Sequence, residues 1–190
     1  MKRLILASAS PRRRELLAAA GFSFEICVAN VSERDESSGG TPAEIVVANA
    51  EAKARAVAET HRDALVLGAD TTVVLGGRMF GKPKDLAEAR RMLRELGGRE
   101  HTVFTGTALV CAAEKLCESR VVACRVAFKP LDDETILRYF GQVNPLDKAG
   151  AYAIQEAGNL IVKNYEEPLS NIVGLPVEII APRLRELLET

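Results

Sequence analysis

Leu4-Ile5-Leu6-Ala7-Ser8-Ala9-Ser10-Pro11-Arg12-Arg13-Arg14 is the stretch whose reading sets the rest of the chain in order. Leu4 to Ala7 is a short apolar run that reads as a buried strand. Ser10 and Pro11 then read as the N-cap and first residue of a helix. Three arginines fill the first turn of that helix, where unpaired N–H groups and the macrodipole already concentrate positive potential, so each is disfavoured by up to ~1 kcal/mol. Helix stability does not account for them. A bound anion does: the free N–H groups, the Ser8 and Ser10 hydroxyls and the forked guanidinium groups together suit a phosphate. A plain strand-to-helix turn with solvated arginines fits the same residues, and a short motif does not decide between the two.

Working outward, the first helix is expected from Pro11 to Ala20, stopped by Gly21, and is followed by a strand over Phe22 to Val28. Ser32 to Thr41 reads as a polar loop carrying Glu33, Asp35 and Glu36. Thr41-Pro42-Ala43-Glu44 is a capping-box pattern that opens a helix to about Thr60. Lys53 lies in that helix, where a lone lysine is ordinarily a solvated surface residue. Val66 to Leu75 reads as a strand containing Asp70. A carboxylate there costs several kcal/mol unless it is hydrogen-bonded, paired or metal-bound. Gly76-Gly77 turns the chain, and Arg78 to Pro83 is expected to run back beside it, bringing Lys82 opposite or diagonal to Asp70. A structural Asp70–Lys82 ion pair accounts for that spacing as well as catalysis does.

Asp85 caps a helix to Leu96, and residues 101–112 and 118–129 form a long hairpin turning near Glu114-Lys115. Asp132 caps a helix ending at Phe140 and Gly141. Asn144 to Tyr152 combines turn formers, small residues and the adjacent Asp147 and Lys148, the composition of a site-forming loop. Leu160 to Val162 is expected as a strand and Glu166 to Asn171 as a polar loop. The C-terminal helix from Pro176 is expected to be kinked or divided by Pro182. The order of elements implies an α/β domain with a mixed sheet, read as one domain over residues 1–190. The first turn lacks the glycines of a dinucleotide fold, no G-K-S/T marks a P-loop, and no G-x-S-x-G elbow supports a serine hydrolase.

Composition narrows the chemistry. A net charge of −1 leaves no global field to hold a polynucleotide, so anion binding must be local. No apolar run approaches membrane-spanning length and no export signal opens the chain, so a cytoplasmic protein with no membrane partner is expected. The four cysteines, Cys27, Cys111, Cys117 and Cys124, form no C-x-x-C pair and read as reduced, mostly buried thiols. With only His61 and His101 available, acid–base chemistry falls to a carboxylate.

Seven stretches, in order along nearly the whole chain, resemble the Maf family of nucleoside triphosphate pyrophosphatases: Leu6 to Arg13, Glu51 to Ala54, Gly68 to Thr71, Gly81 to Pro83, His101 to Gly106, Asp147 to Tyr152 with Gln155, and Ser170 to Pro176. The resemblance implies an α/β fold related to inosine triphosphate pyrophosphatases, with an elongated mixed sheet flanked by helices and two lobes around a cleft. It also implies a divalent cation, often a homodimer, and cleavage of a nucleoside triphosphate between its α- and β-phosphates. Asp70 occupies the position of the family's general base. Arg12, Thr71 and Gln155 match the branch acting on dTTP and UTP. The 7-methyl-GTP branch carries a bulky aromatic residue, glutamine and glutamate there. Ala153 stands where glycine is usual, and Glu156-Ala157 replaces a more glycine-rich continuation. An enzyme preferring 7-methyl-GTP, CTP or a modified pyrimidine nucleotide, and a non-catalytic nucleotide-binding regulator of cell division, are the alternatives.

On this reading Ser8, Ser10, Arg12 and Arg13 hold phosphates at the first helix N-terminus, while Lys53, Lys82 and Lys148 close on the rest. Arg14 points elsewhere on the helix and is solvated. Glu33 and Asp70 are the candidate ligands of Mg²⁺ or Mn²⁺. Asp70 deprotonates the attacking water with Lys82 as its catalytic companion, and Thr71 and Gln155 read the pyrimidine edge.

Overall fold

A computed structural model describes residues 2–189. Strand β1 (Leu4–Leu6) turns into helix α1 (Pro11–Ala19), where the Ser10 hydroxyl accepts from the Arg13 amide as a cap. Strand β2 (Glu25–Ile26) is far shorter than the expected Phe22–Val28. It sits at the outer edge of the sheet against β1 alone, while Phe22 and Phe24 turn back to pack on a core cluster. Helix α2 (Pro42–Ala58) opens with the expected capping box between Thr41 and Glu44. Strand β3 (Leu65–Leu75), helix α3 (Leu86–Leu96), the hairpin of β5 (Glu100–Cys111) and β6 (Leu116–Phe128), and helix α4 (Asp133–Phe140) follow within a residue or two of expectation, whereas β4 (Arg78–Phe80) stops three residues short of the expected Pro83.

The last quarter departs further. Leu160 and Ile161 close a short helix α5 (Gly158–Ile161), and strand β7 (Val162–Tyr165) begins only after Ile161 has entered the core. The expected polar loop over Glu166–Asn171 is instead a turn with a cis Glu167–Pro168 bond leading into helix α6 (Leu169–Val173). Its polar residues are internal: Ser170 donates to Glu178, and Asn171 Nδ2 donates to the Val103 carbonyl at 3.2 Å. Helix α7 (Val177–Glu189) runs undivided through Pro182. Proline forfeits one backbone hydrogen bond in the second turn, and burial of Val177, Ile180, Ala181, Leu184 and Leu187 holds the helix across it. Of the four thiols, Cys111 and Cys124 are buried, whereas Cys27 and Cys117 are half-buried. Among the described residues no helix is long and apolar enough to cross a membrane.

The seven-stranded sheet is mixed, in the order β2-β1-β3-β5-β6-β7, with β4 also on β3. One edge of β3 is covered by β5 from Val66 to Val74. Along its other edge, β1 covers Leu65 to Leu67 and β4 covers Val73 to Leu75. Residues 68–72 are therefore left with no strand along this second edge. This break separates a core around Phe80, Leu93, Val103 and Tyr139 from two clusters built on β1, α2 and α7. A cleft of about 990 Å³ opens there.

Helix α2 lies unusually close to this break. A Cβ on Gly68 would stand 2.2 Å from the Ala50 carbonyl, and one on Gly106 would stand 2.5 Å from the Val46 carbonyl. The two glycines, one on β3 and one on β5, let the alanine- and valine-rich face of α2 sit directly on the sheet. Everything that α2 presents one turn further on is thereby brought against Asp70, the cross-strand neighbour of Gly106.

Candidate active site

All eleven residues read from the sequence as site residues line this one cleft. Successive side chains of a strand leave on opposite faces, so Asp70 and Thr71 serve its two sides. On the α2 side, Lys53 Nζ donates to Asp70 Oδ1 at 2.8 Å and lies 2.7 Å from Glu33 Oε1. Lys53 is buried, with 8% exposure, unlike the solvated surface residue that a lone helix lysine ordinarily is. The lysine beside Asp70 is therefore Lys53 and not Lys82, which was expected opposite or diagonal to it. The Gly76-Gly77 hairpin has a two-residue loop with both glycines at positive φ, and its ladder ends at Phe80. Lys82 thus leaves the ladder, is exposed on the cleft wall, and reaches Glu33 only through its field.

Asn49 was not recognised from sequence. It sits one turn before Lys53 on the same face of α2 and is buried. Its Nδ2 donates to Asp70 Oδ2 at 2.9 Å and to the Arg34 carbonyl at 2.9 Å, while its Oδ1 accepts from the Arg34 amide at 2.7 Å. One side chain therefore fixes Asp70 and clamps the loop bearing Glu33. The signal was a polar residue spaced i, i+4 from Lys53 on an otherwise apolar helix face. Partial burial works against the charged form of Glu33, but the hydrogen bond and charge of Lys53, aided by Lys82 and Arg13, hold its carboxyl below the usual range.

On the other face, Arg13 is held by neutral oxygens alone. Nε donates to the Gly174 carbonyl at 2.8 Å, one terminal nitrogen donates to Ser8 Oγ at 3.1 Å, and the other to Thr71 Oγ1 at 3.0 Å. Burial lowers its pKa, with the fields of Asp70 and Glu33 opposing. A guanidinium has five N–H groups, so each terminal nitrogen keeps one for a ligand. Thr71 Oγ1 lies 3.0 Å from Thr105 Oγ1, which donates in turn to the Asn171 carbonyl at 2.9 Å. This is why the motif around Ser170 and Asn171 lies so far along the chain from Arg13 yet belongs to the same site. Ser8 Oγ also accepts from the Ser10 amide at 3.2 Å, which leaves both hydroxyls at the α1 N-terminus. Arg14 is exposed and outside the cleft, as expected.

The segment from Asn144 to Ala157 forms the facing wall. Arg12 crosses to it, donating to Asp147 Oδ2 at 3.0 Å and to the Asp147 carbonyl at 3.2 Å. Lys148 is buried and donates to the Asn144 carbonyl and to Asp147 Oδ1, with Glu156 at 3.4 Å. Burial opposes ionisation of Asp147, but Lys148 and Arg12 keep its carboxyl below the ordinary range. Gln155 is exposed on the cleft. Two buried tyrosines hold this wall from behind. Tyr139 OH accepts from the Ala153 amide and donates to the Ala153 carbonyl, and Tyr152 OH shares a 2.8 Å hydrogen bond with His101 Nε2. Burial depresses the His101 pKa to about 4. Among the described residues no group of three or more His, Cys, Asp or Glu side chains is arranged as a metal cage.

The sequence model described as "Maf-like protein" matches residues 3–187. A protein of Pelotomaculum thermopropionicum named dTTP/UTP pyrophosphatase is 48% identical over 186 residues, which cover 98% of this chain and 97% of the relative. One of the same name from Anaeromyxobacter dehalogenans is 49% identical, with coverage of 96% and 93%. A solved nucleoside-triphosphatase / dITP/XTP pyrophosphatase from Mycobacterium abscessus aligns over 83% of this chain and 93% of its own at 16% identity and a TM-score of 0.46. With its seven motifs gathered in one cleft and its family match running almost end to end, the chain belongs to the Maf family.

Proposed function

We propose that this protein hydrolyses dTTP and UTP between the α- and β-phosphates, releasing the nucleoside monophosphate and pyrophosphate. The observation that carries the reading is Asp70. It is a carboxylate in the stretch of β3 that has a strand on one edge only, fixed on one oxygen by Asn49, with Arg13 anchored on the opposite face of the same strand. The names of the relatives support the pyrimidine preference. A net charge of −1, with cations concentrated at the cleft, supports a free nucleotide over a polymer. A cytoplasmic homodimer completes the proposal, on the strength of the family resemblance.

The donor set fits a divalent cation. Glu33 Oε1 and Asp70 Oδ1 are hard oxygen ligands gathered within 2.8 Å of one point, and two carboxylates plus substrate oxygens suit Mg²⁺ or Mn²⁺. Held there, such an ion would neutralise charge on the triphosphate. The chain's own groups supply the rest. Ser8, Ser10, the α1 N-terminus and the two uncommitted N–H groups of Arg13 hold phosphate oxygens. Water attacks the α-phosphorus, its proton passes to Asp70, and the electrons of the broken P–O bond leave on pyrophosphate. The charge gathering on the departing oxygen meets Lys82 and Arg13. Gln155 both donates and accepts at the pyrimidine edge, and Thr71 supports that choice while anchoring Arg13.

The test is incubation with dTTP, UTP, CTP, GTP and 7-methyl-GTP in Mg²⁺, followed by identification of every product. Equimolar monophosphate and pyrophosphate from dTTP and UTP is the expected result. Orthophosphate as the first product, or faster turnover of 7-methyl-GTP, would overturn it.

A further inference from the structure

We propose that Lys53 is the resident counter-cation of the Glu33–Asp70 pair, so that a divalent metal binds tightly only once a triphosphate draws the Lys53 ammonium away. The inference rests on the reading of Glu33 and Asp70 as metal ligands, and it adds a competitor for their oxygens. Lys53 Nζ lies 2.7 Å from Glu33 Oε1 and 2.8 Å from Asp70 Oδ1, which is where one cation serves both carboxylates. A metal ion bound to the same two oxygens at about 2.1 Å would stand within a few ångströms of the ammonium, in a site where Asp70 is only 14% exposed. Two cations do not share that place.

The surroundings fix the arrangement. Asn49 occupies Asp70 Oδ2 and ties the Arg34 backbone to α2, so the free oxygen of Asp70 and the loop bearing Glu33 are both turned to Lys53. Among the described residues, the acceptor within reach of Nζ apart from the two carboxylates is the Ala69 carbonyl, at 3.4 Å. The ammonium therefore has no comparable resting place on the protein, and an anionic phosphate oxygen in the cleft supplies one. Nucleotide and metal then promote each other's binding, since coupling between two ligands is reciprocal.

Mn²⁺ binding, read from the electron paramagnetic resonance signal of the free ion, tests this without turnover. Lys53→Met should bind Mn²⁺ alone roughly tenfold more tightly than the wild type, because it removes a competing charge in direct contact. Lys82→Met removes a cation that acts on Glu33 only through its field, and should gain less than about threefold. Equal affinity of Lys53→Met and wild type, or an equal gain in the two variants, overturns the proposal. Adding Glu33→Gln or Asp70→Asn to Lys53→Met should abolish the tight site. A tight site that survives both overturns the proposal through its ligand assignment, and failure of the single variants with that dependence intact overturns the competition alone.

Circular dichroism checks the fold, and Lys53→Gln is the second variant. A wild-type measurement stands independently of both. In lysine-labelled protein the Lys53 side-chain resonance should hold its position in Mg²⁺ alone and move when the uncleavable α,β-imido analogue of dUTP is added with Mg²⁺. Movement to the same position in Mg²⁺ alone overturns the proposal.

Discussion

The two walls of the cleft are built on different principles. One is made of regular elements: the end of β1, the capped start of α1, the middle of α2 and the uncovered stretch of β3. Its charged groups have fixed partners, and the backbone carrying them belongs to strands and helices with ordinary geometry. The other is the irregular segment from Asn144 to Ala157. It passes through positive φ at Gly150, Ala151 and Ala157 and is held from behind by buried neutral groups, Tyr139 on Ala153 and His101 on Tyr152. The contrast teaches a division of labour. On the proposed function, chemistry that needs a fixed geometry would sit on secondary structure, and the surface that would distinguish one base from another, around Gln155, would lie on a separate irregular segment.

The largest effect should therefore fall on the regular wall. Asp70→Asn keeps an acceptor for Lys53 and should preserve the fold, yet it removes the proton acceptor and should lower pyrophosphate release by about 10²- to 10⁴-fold. Gln155→Ala on the facing wall should cost less than about tenfold with the best nucleotide while altering the ranking of nucleotides. Turnover of both variants across the nucleotide panel, with unfolding midpoints as controls, decides the matter. Near-wild-type activity in Asp70→Asn, or a collapse in Gln155→Ala, would reverse the assignment of roles.

The second effect is on stability and belongs to the irregular wall. His101 is 2% exposed, its Nδ1 has no partner, and its pKa falls to about 4 in the folded protein. The ordinary value of about 6.5 applies in the unfolded chain, which therefore binds the proton first as pH falls. The contribution is complete above pH 6.5 and is lost progressively down to pH 4, a change of roughly 3 kcal/mol. Urea unfolding at pH 7 and pH 4.5 should show most of that loss in the wild type and a flatter dependence in His101→Gln. Identical slopes would mean that some other group destabilises the fold in acid.

Third comes the residue that links the elements of the regular wall. Asn49→Ala leaves the Asp70 oxygen and both backbone groups of Arg34 without their partner, at a cost of about 1–3 kcal/mol in stability. Because Asn49 positions Asp70 and is placed on no substrate atom, kcat should fall by roughly tenfold with KM nearly constant. A rise in KM at unchanged kcat would instead mark it as a substrate contact.

What the sequence revealed follows the same division. Strand and helix signals in the regular wall were legible because each was local: Ser10-Pro11, the Thr41–Glu44 box, and an aspartate out of place in an apolar strand. The partner of Asp70 was not, since hairpin spacing pointed to Lys82 while the contact came from α2. That approach depends on Gly68 and Gly106 leaving room above the sheet, a property of packing between segments and not of either one alone. The α5–α6 region was misread for a related reason. Ser170 and Asn171 are polar and look like loop residues, but their hydrogen bonds lie inside, to Glu178 and Val103. Polarity predicts solvent only when no buried partner waits elsewhere in the fold.

The smallest predicted effect probes whether the irregular wall carries strain. Ala157 stands at φ 50° and ψ 26°, in the left-handed region, where a Cβ costs roughly 1 kcal/mol. Glycine removes that cost but gains freedom in the unfolded chain, so Ala157→Gly should stabilise by up to about 0.5 kcal/mol, read as a small rise in urea midpoint. Ala151 shares the conformation, at φ 64°, but its methyl is fully buried in the core beside Val73 and Tyr152. There the lost packing, about 0.8 kcal/mol for one methyl-sized group, offsets the relief, and Ala151→Gly should gain nothing. A stabilised Ala157→Gly beside an unchanged Ala151→Gly would identify backbone strain as the cost of this wall's shape. Destabilisation of both would mean that alanine contributes contacts at each position, and the contrast between a relaxed wall and a strained one would fail.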